Sequence, residues 1–410
     1  MVNAGDTAWL LVATAMVMLM TPALALFYGG MVRSKNVLST FMHSFFALGV
    51  VTLQWALLGY SLAFGQSHGG VIGGLDFALL HGVGMEAKAG TTVPHLLYMM
   101  YQGMFAVITP ALISGAIAER MKFSAYCLFT ILWATLVYDP IAHWVWNDGG
   151  WLHKMGALDF AGGTVVHLAS GASALVTALV LGRRVGGAAA PHNLTMTVLG
   201  AGLLWFGWFG FNAGSSLSAS GLGALAFANT HLAAAAGAVA WGLVDQRRIG
   251  KVTMLGVASG LVAGLVGITP AAGYVGPLAA IAIGALAGVA CYGGVLLKSR
   301  FKYDDALDAF GVHGIGGALG ALLTGVFAQL AWNKDGADGV VAGAGRLLVA
   351  QLAGIASAAL YSAIATFLLL KLIQATIGLR VEVDAEREGL DTTLHGESGY
   401  AFGGAPPHEQ

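Results

Sequence analysis

The chain has 410 residues, of which 57% are hydrophobic and only 10% charged, with a mean hydropathy of +0.76. A soluble globular protein carries about 25% charged residues, so there is too little charge here to cover a water-facing surface. The net charge of −1 gives no basic field for nucleic acid, and Cys127 and Cys291 lie in apolar runs without the spacing of a disulfide framework or a metal site.

The first apolar segment covers 8–32. Its run from Leu10 to Met20, followed by Ala23-Leu24-Ala25, has the look of a cleavable leader, but no basic residue precedes it and the apolar run continues to Val32. It is read as a membrane-spanning helix with a short outer N-terminus. Ten more segments of spanning length follow at 38–64, 95–118, 123–143, 162–182, 194–212, 222–244, 252–269, 275–297, 306–330 and 343–374. The connections are short except for 65–94. The last segment exceeds what a bilayer requires, so it tilts or projects into water. From Gly378 the composition turns polar and ends in Ala405-Pro406-Pro407-His408-Glu409-Gln410. The expected organisation is an all-α polytopic membrane domain over 1–377 and a cytoplasmic tail over 378–410.

Basic residues give the orientation. If the first segment runs inward, Lys88, Lys154, Lys334 and Arg346 are the only ones of the 19 Lys and Arg outside. The positive-inside rule therefore predicts N-outside and C-inside.

Two segments share a motif. Asp159-Phe160-Ala161-Gly162-Gly163-Thr164-Val165-Val166-His167 opens the fifth, and Asp308-Ala309-Phe310-Gly311-Val312-His313 opens the tenth. Five segments apart means opposite directions across the membrane, which is the plan of two inverted five-helix repeats (about 8–182 and 194–330) with functional groups between them. An imidazole within a span is costly and faces a cavity or a partner. A lone histidine would read as interhelical packing; a pair in matched motifs reads as pore lining. His167 is expected a turn or more inside its helix and His313 near the middle of its own. A zinc site is disfavoured, because no third ligand stands at the required spacing. Asp159, Asp304 and Asp308 read first as helix caps and vestibule charge.

Aromatic residues form a third group. Tyr101 and Phe105 share a helix face, as do Trp208, Phe211 and Ser215, and the fourth segment ends in His143-Trp144-Val145-Trp146. By the expected topology they gather at the outer side. Aromatic faces bind a cation at about 0.5–2 kcal/mol each, and a hydroxyl such as that of Ser215 accepts a hydrogen bond from an ammonium proton, which K⁺ cannot offer. An interfacial aromatic belt would account for Trp144 or Trp146 without a ligand.

Taken with Phe27-Tyr28-Gly29-Gly30-Met31-Val32-Arg33, Gln102-Gly103-Met104-Phe105, Gly115-Ala116-Ile117-Ala118-Glu119-Arg120, Trp208 through Ser215 and Asp304 through Gly317, these motifs make the chain resemble the ammonium transporters of the Amt/Mep/Rh superfamily, in the bacterial Amt branch, over nearly its whole length. The resemblance implies a homotrimer with a pore in each eleven-helix subunit, in the cell inner membrane. It implies an outer ammonium site of Trp146, Phe105 and Ser215 with Tyr101 beside it, a stacked gate of Phe105 and Phe211, and a pore of His167, His313 and Trp208. Asp159 would stabilise the outer site and assist deprotonation, and a PII-type regulatory protein would meet the cytoplasmic face around Gly378 to Phe402. Tyr101 departs from the pattern, where Phe is common. No cofactor is implied and the protein is not expected to be an enzyme, since no nucleophile accompanies the Asp and His residues. An ammonium sensor or a neutral-gas channel remain the alternatives.

Overall fold

A backbone in hydrocarbon has no water to bond to, so each apolar run must satisfy its amides internally as a helix. The computed structural model, which describes residues 1–400, follows that rule: ten helices are long and apolar enough to cross a membrane, and the apolar Met254–Ile268 is shorter. In chain order they are α1 (Ala4–Met31), α2 (Ser34–Phe64), α3 (His95–Ile117), α4 (123–146), α5 (Gly163–Leu181), α6 (Leu194–Ala213), α7 (Gly221–Ile249), α8 (Met254–Ile268), α9 (Pro277–Phe301), α10 (Phe310–Phe327) and α11 (Arg346–Thr376). Two short helices, α12 (Val383–Glu388) and α13 (Leu390–His395), follow. The end of the expected tail, 401–410, lies outside the described residues.

Several boundaries shift by a few residues, and two of the shifts have clear local reasons. α4 runs past 143 to Trp146, because His143 does not end the apolar run. It is buried, with Nδ1 2.9 Å from the Ala63 carbonyl and Nε2 2.7 Å from Ser67 Oγ. α10 starts at Phe310 rather than 306, because the acidic stretch before it is a capped loop. His313 is therefore in the first turn of its helix, not near the middle.

The two halves meet through helices five apart. α1 packs along α6 at Gly30, Gly200, Gly207 and Gly210, where an added Cβ would fall 2.3, 2.3, 2.2 and 2.7 Å from the facing helix. Small residues allow this close backbone approach, which substitutes for the hydrophobic drive that lipid does not provide. α5 meets α10 in the same way: a Cβ on Gly171 would lie 2.1 Å from the Gly314 amide nitrogen.

Among the described residues, four π-helical turns interrupt the helices, at Trp55–Gly59, Ala134–Tyr138, Gly163–Leu168 and Phe310–Gly314. Such turns cluster at functional sites, and the last two carry His167 and His313. The first two flank a buried polar pair, in which Gln54 Nε2 donates to Asp139 Oδ2 at 2.9 Å.

At one end of the bundle, charged side chains knit distant segments together. Glu119 accepts from the Arg33 amide at 2.8 Å, from Asn36 at 2.9 Å and from Arg184 at 2.7 Å. Arg184 also grips Asp304 through Nε and Nη2, both at 2.9 Å. The chain after α11 folds back onto this face. Arg380 pairs with Glu386 at 2.7 Å, and Asp391 accepts from the Ser39 amide at 2.8 Å.

Candidate pore and outer vestibule

The two histidines expected to line a pore are placed by capped helix starts. Asp159 accepts four successive amides: Gly162 (2.8 Å) and Gly163 (2.6 Å) on Oδ1, Thr164 (2.8 Å) and Val165 (3.0 Å) on Oδ2. These are the unpaired donors of a helix start. Gly162 has φ +112°, a conformation open to glycine and closed to most side chains. The wound turn that follows carries His167.

In the second half the matching cap is Asp305, not Asp308. Asp305 accepts from Ala309 at 3.1 Å and Phe310 at 2.8 Å, and it stands eight residues before His313 just as Asp159 stands eight before His167. Asp308, which the motif comparison aligned with Asp159, has φ +62° and pairs with Lys298 at 2.5 Å. Asp304 belongs to the Arg184 network rather than to a cap.

The capped turns bring the two imidazoles together. Their Nδ1 atoms are 3.2 Å apart, with ring centroids 5.2 Å apart and planes inclined by 19°. One Nδ1 must donate and the other accept. For two neutral rings this leaves one Nε2 as an acceptor and the other as a donor. His167 Nε2 is buried without a protein partner. Trp208 stacks on His167 at 5.3 Å and turns its own N–H away, to Thr269 Oγ1 at 2.9 Å.

Both histidines border an enclosed cavity of about 10 Å³, walled otherwise by Met20, Leu24, Phe27, Ile108, Leu112, Leu204, Val262, Trp208 and Phe211. That volume is about the least that holds one water-sized molecule.

Above it, Phe105 and Phe211 stack at 4.2 Å and 28°, and Phe211 is 5.9 Å from His167. Trp146 meets Phe105 edge-on at 6.0 Å, and its indole N–H is fixed on the Asp159 carbonyl at 2.9 Å. Trp146, Asp159 and Ser215 line an open vestibule of about 410 Å³. α4 ends at this vestibule, and Ser215 sits in the short turn Gly214–Ser216 that follows α6, so two helix C-termini, with their partial negative charge, lie at its wall. Tyr101 lies behind the rim, fully buried, with its hydroxyl on the backbone of α6.

The pattern decides the family: the ammonium transporter family model matches residues 8–400. The chain belongs to the ammonium transporter family. It is a multi-pass membrane protein. It is 53% identical to the ammonium transporter of Bacillus subtilis over 399 residues, covering 97% of this chain and 98% of that one. It is 40% identical to the crystal structure of Saccharomyces cerevisiae Mep2, with a TM-score of 0.88 over 93% of this chain and 88% of the other. A structure described as a sensor Amt protein is 29% identical, with a TM-score of 0.88 over 95% and 98% of the two chains.

Among the vestibule residues that escaped the sequence reading are Tyr274, Asn333 and Asp335. The only signal for Asp335 was an acid in a loop expected outside. Asp305 had a clear signal, its spacing from His313. It sits under the second histidine turn, where burial, with Asp308 beside it, pushes its carboxyl up to about 6. Burial also opposes the charge on Asp304, but the Arg184 guanidinium and amide hold it down at about 2. For Glu119 the same contest against burial is won by Arg33, Arg184 and Asn36, so its carboxyl stays below the usual range.

Proposed function

We propose that this ammonium transporter family member binds NH₄⁺ at Trp146, Phe105 and Ser215, releases a proton there with Asp159 stabilising the site, and conducts NH₃ past Phe105 and Phe211 and along His167 and His313 into the cytoplasm. The observation that carries the reading is the histidine pair: two imidazoles share one hydrogen bond beside a cavity for a single small molecule, with apolar walls.

The physics is a matter of which species pays to enter. NH₄⁺ and K⁺ are similar in size, so a sieve does not separate them. A narrow apolar passage rejects both as bare ions, because desolvating a charge costs far more than it regains there. NH₄⁺ alone has a neutral form, and low polarity favours NH₃ by the logic that favours a neutral buried amine. The vestibule aromatics gather the cation, and the stacked rings keep water back. The free Nε2 positions then offer NH₃ one acceptor and one donor.

The orientation in this reading is N-outside and C-inside, as two inverted five-helix repeats and an eleventh helix. The assembly is a homotrimer in the inner membrane, contacted by lipid, and the docked segment after Gly378 is where a PII-type partner would act. A sensor role is the second reading, favoured by the likeness to the sensor Amt protein.

Purified protein in liposomes tests the reading by ammonium uptake. Wild type should accumulate ammonium, and the His167→Ala, His313→Ala double variant should lose transport or selectivity. Unchanged behaviour of that variant would refute the pore role. Ammonium binding without uptake in the wild type would favour the sensor.

A further inference from the structure

The family resemblance places Tyr101 beside the outer ammonium site. Its geometry gives it different work. The ring is fully buried, and its hydroxyl oxygen lies 2.9 Å from the Gly210 carbonyl, 2.9 Å from the Phe211 carbonyl and 3.2 Å from Ser215 Oγ. α6 ends at Ala213, where the Gly210 carbonyl accepts from the Gly214 amide and the Phe211 carbonyl from Ser215 Oγ, each with a second lone pair to spare. A side chain from α3 therefore supplies a donor to the end of another helix, at the residue whose ring closes the pore.

The packing keeps this arrangement in place. Gly214 leaves room for it, since a Cβ there would stand 2.7 Å from the Tyr101 hydroxyl and 3.0 Å from the ring. Four residues along α3, Phe105 stacks on Phe211, and the Tyr101 and Phe105 rings are themselves 5.0 Å apart. Tyr101 and Phe105 thus hold the same piece of α6, one through its carbonyl and one through its ring.

Proton bookkeeping extends the point to Ser215. Tyr101 and Ser215 have one hydroxyl proton each. Ser215 Oγ is also 2.9 Å from the Phe211 carbonyl. With the Tyr101 proton on Gly210 or Phe211, the Ser215 proton goes to Phe211 or to the Tyr101 oxygen, and in every such arrangement it points into the protein. The lone pairs of Ser215 are left for the vestibule, which Ser215 lines. An oxygen held that way accepts from an N–H cation and does not present its own hydrogen to it.

We propose that Tyr101 is a positioning residue. Its hydroxyl ties the end of α6 to α3, keeps Phe211 stacked on Phe105, and holds Ser215 as an acceptor toward NH₄⁺, without itself touching the cation. The proposal rests on the outer-site reading above.

The test is a double-variant cycle on Tyr101→Phe and Ser215→Ala in proteoliposomes, reading KM and maximal rate for ammonium and the ammonium to K⁺ ratio. Tyr101→Phe should raise KM by about fivefold, the worth of one hydrogen bond, and lower the ratio. Its effect on KM should vanish in the Ser215→Ala background, because both act through one oxygen. Gly214→Ala, which pushes on the same hydroxyl, should give the same phenotype and add nothing to Tyr101→Phe. If Tyr101→Phe lowers thermal stability but leaves KM and the ratio unchanged, while Ser215→Ala raises KM, Tyr101 is structural only and the proposal is overturned. If Ser215→Ala and Trp146→Leu also leave KM unchanged, it is the outer-site reading that fails. If Tyr101→Phe raises KM equally with and without Ser215, the hydroxyl acts on the cation directly and the positioning role is overturned.

Discussion

Phe211→Ala is the sharpest perturbation of the barrier. Phe211 is fully buried, stacked on Phe105 at 4.2 Å and, more distantly, on His167 at 5.9 Å. Truncation opens the cavity of about 10 Å³ on the side where Phe211 stacks on Phe105, whose ring meets Trp146 of the vestibule of about 410 Å³. The lost ring frees roughly 100 Å³, room for about three waters at about 30 Å³ each. The histidine nitrogens give those waters polar partners, so the new space fills rather than staying dry. A continuous file of water then spares an ion much of its desolvation. The variant should pass K⁺ measurably where the wild type does not, with ammonium flux kept or raised. Losing a buried ring also costs about 3–5 kcal/mol of stability, so thermal unfolding of the purified protein must first show a folded population. The assay is a K⁺ pulse on liposomes adsorbed to a capacitive electrode. Folded Phe211→Ala that transports ammonium and still excludes K⁺ would refute the idea that the stacked rings are the water barrier.

Three further outcomes follow from the geometry. Asp305 has a folded pKa of about 6, above its value of 3.8 in the unfolded chain, so the native state holds the extra proton and this group's contribution to stability falls as pH rises from about 4 to 6. Asp305→Asn should therefore unfold at the same temperature as wild type near pH 4 and at a higher one at pH 7, with no difference at pH 7 contradicting the assignment. Gly171→Ala puts a methyl 2.1 Å from the Gly314 amide nitrogen; overpacking costs typically 1–3 kcal/mol, and yield, melting temperature and transport should fall together. Glu119→Gln strips a counter-charge from Arg33, which is partly exposed, and one of two from Arg184, which keeps Asp304; the loss should therefore fall below the about 3–5 kcal/mol of an orphaned buried charge, seen as moderately faster heat inactivation at pH 7, whereas wild-type heat resistance would show that Asp304 alone balances Arg184.

Hydropathy made the helices legible, because length and apolarity are what a bilayer selects and both are local properties of the chain. It failed where polarity was satisfied by a distant residue. His143 reads as the end of α4 until Ala63 and Ser67 are seen to bind it. The acids before α10 read as part of a helix until Asp305 is seen to cap it and Asp308 to take a left-handed turn. Asp305 itself was legible in principle, since its distance to His313 equals that of Asp159 to His167; matching by order of residue types hid it. The wound turns that aim both histidines leave no trace in composition, because an inserted residue changes register and not hydropathy. Tyr101 was legible as an aromatic on the right face, but the target of its hydroxyl lies more than a hundred positions along the chain.

The central claim is that the pore admits a neutral molecule and no bare cation. Ammonium and K⁺ pulses of equal concentration on the wild-type protein in liposomes test it most directly, with current and internal pH read together. The account predicts a response to ammonium, as charge movement or as a rise in internal pH, and none to K⁺. Equal currents from the two ions would contradict it.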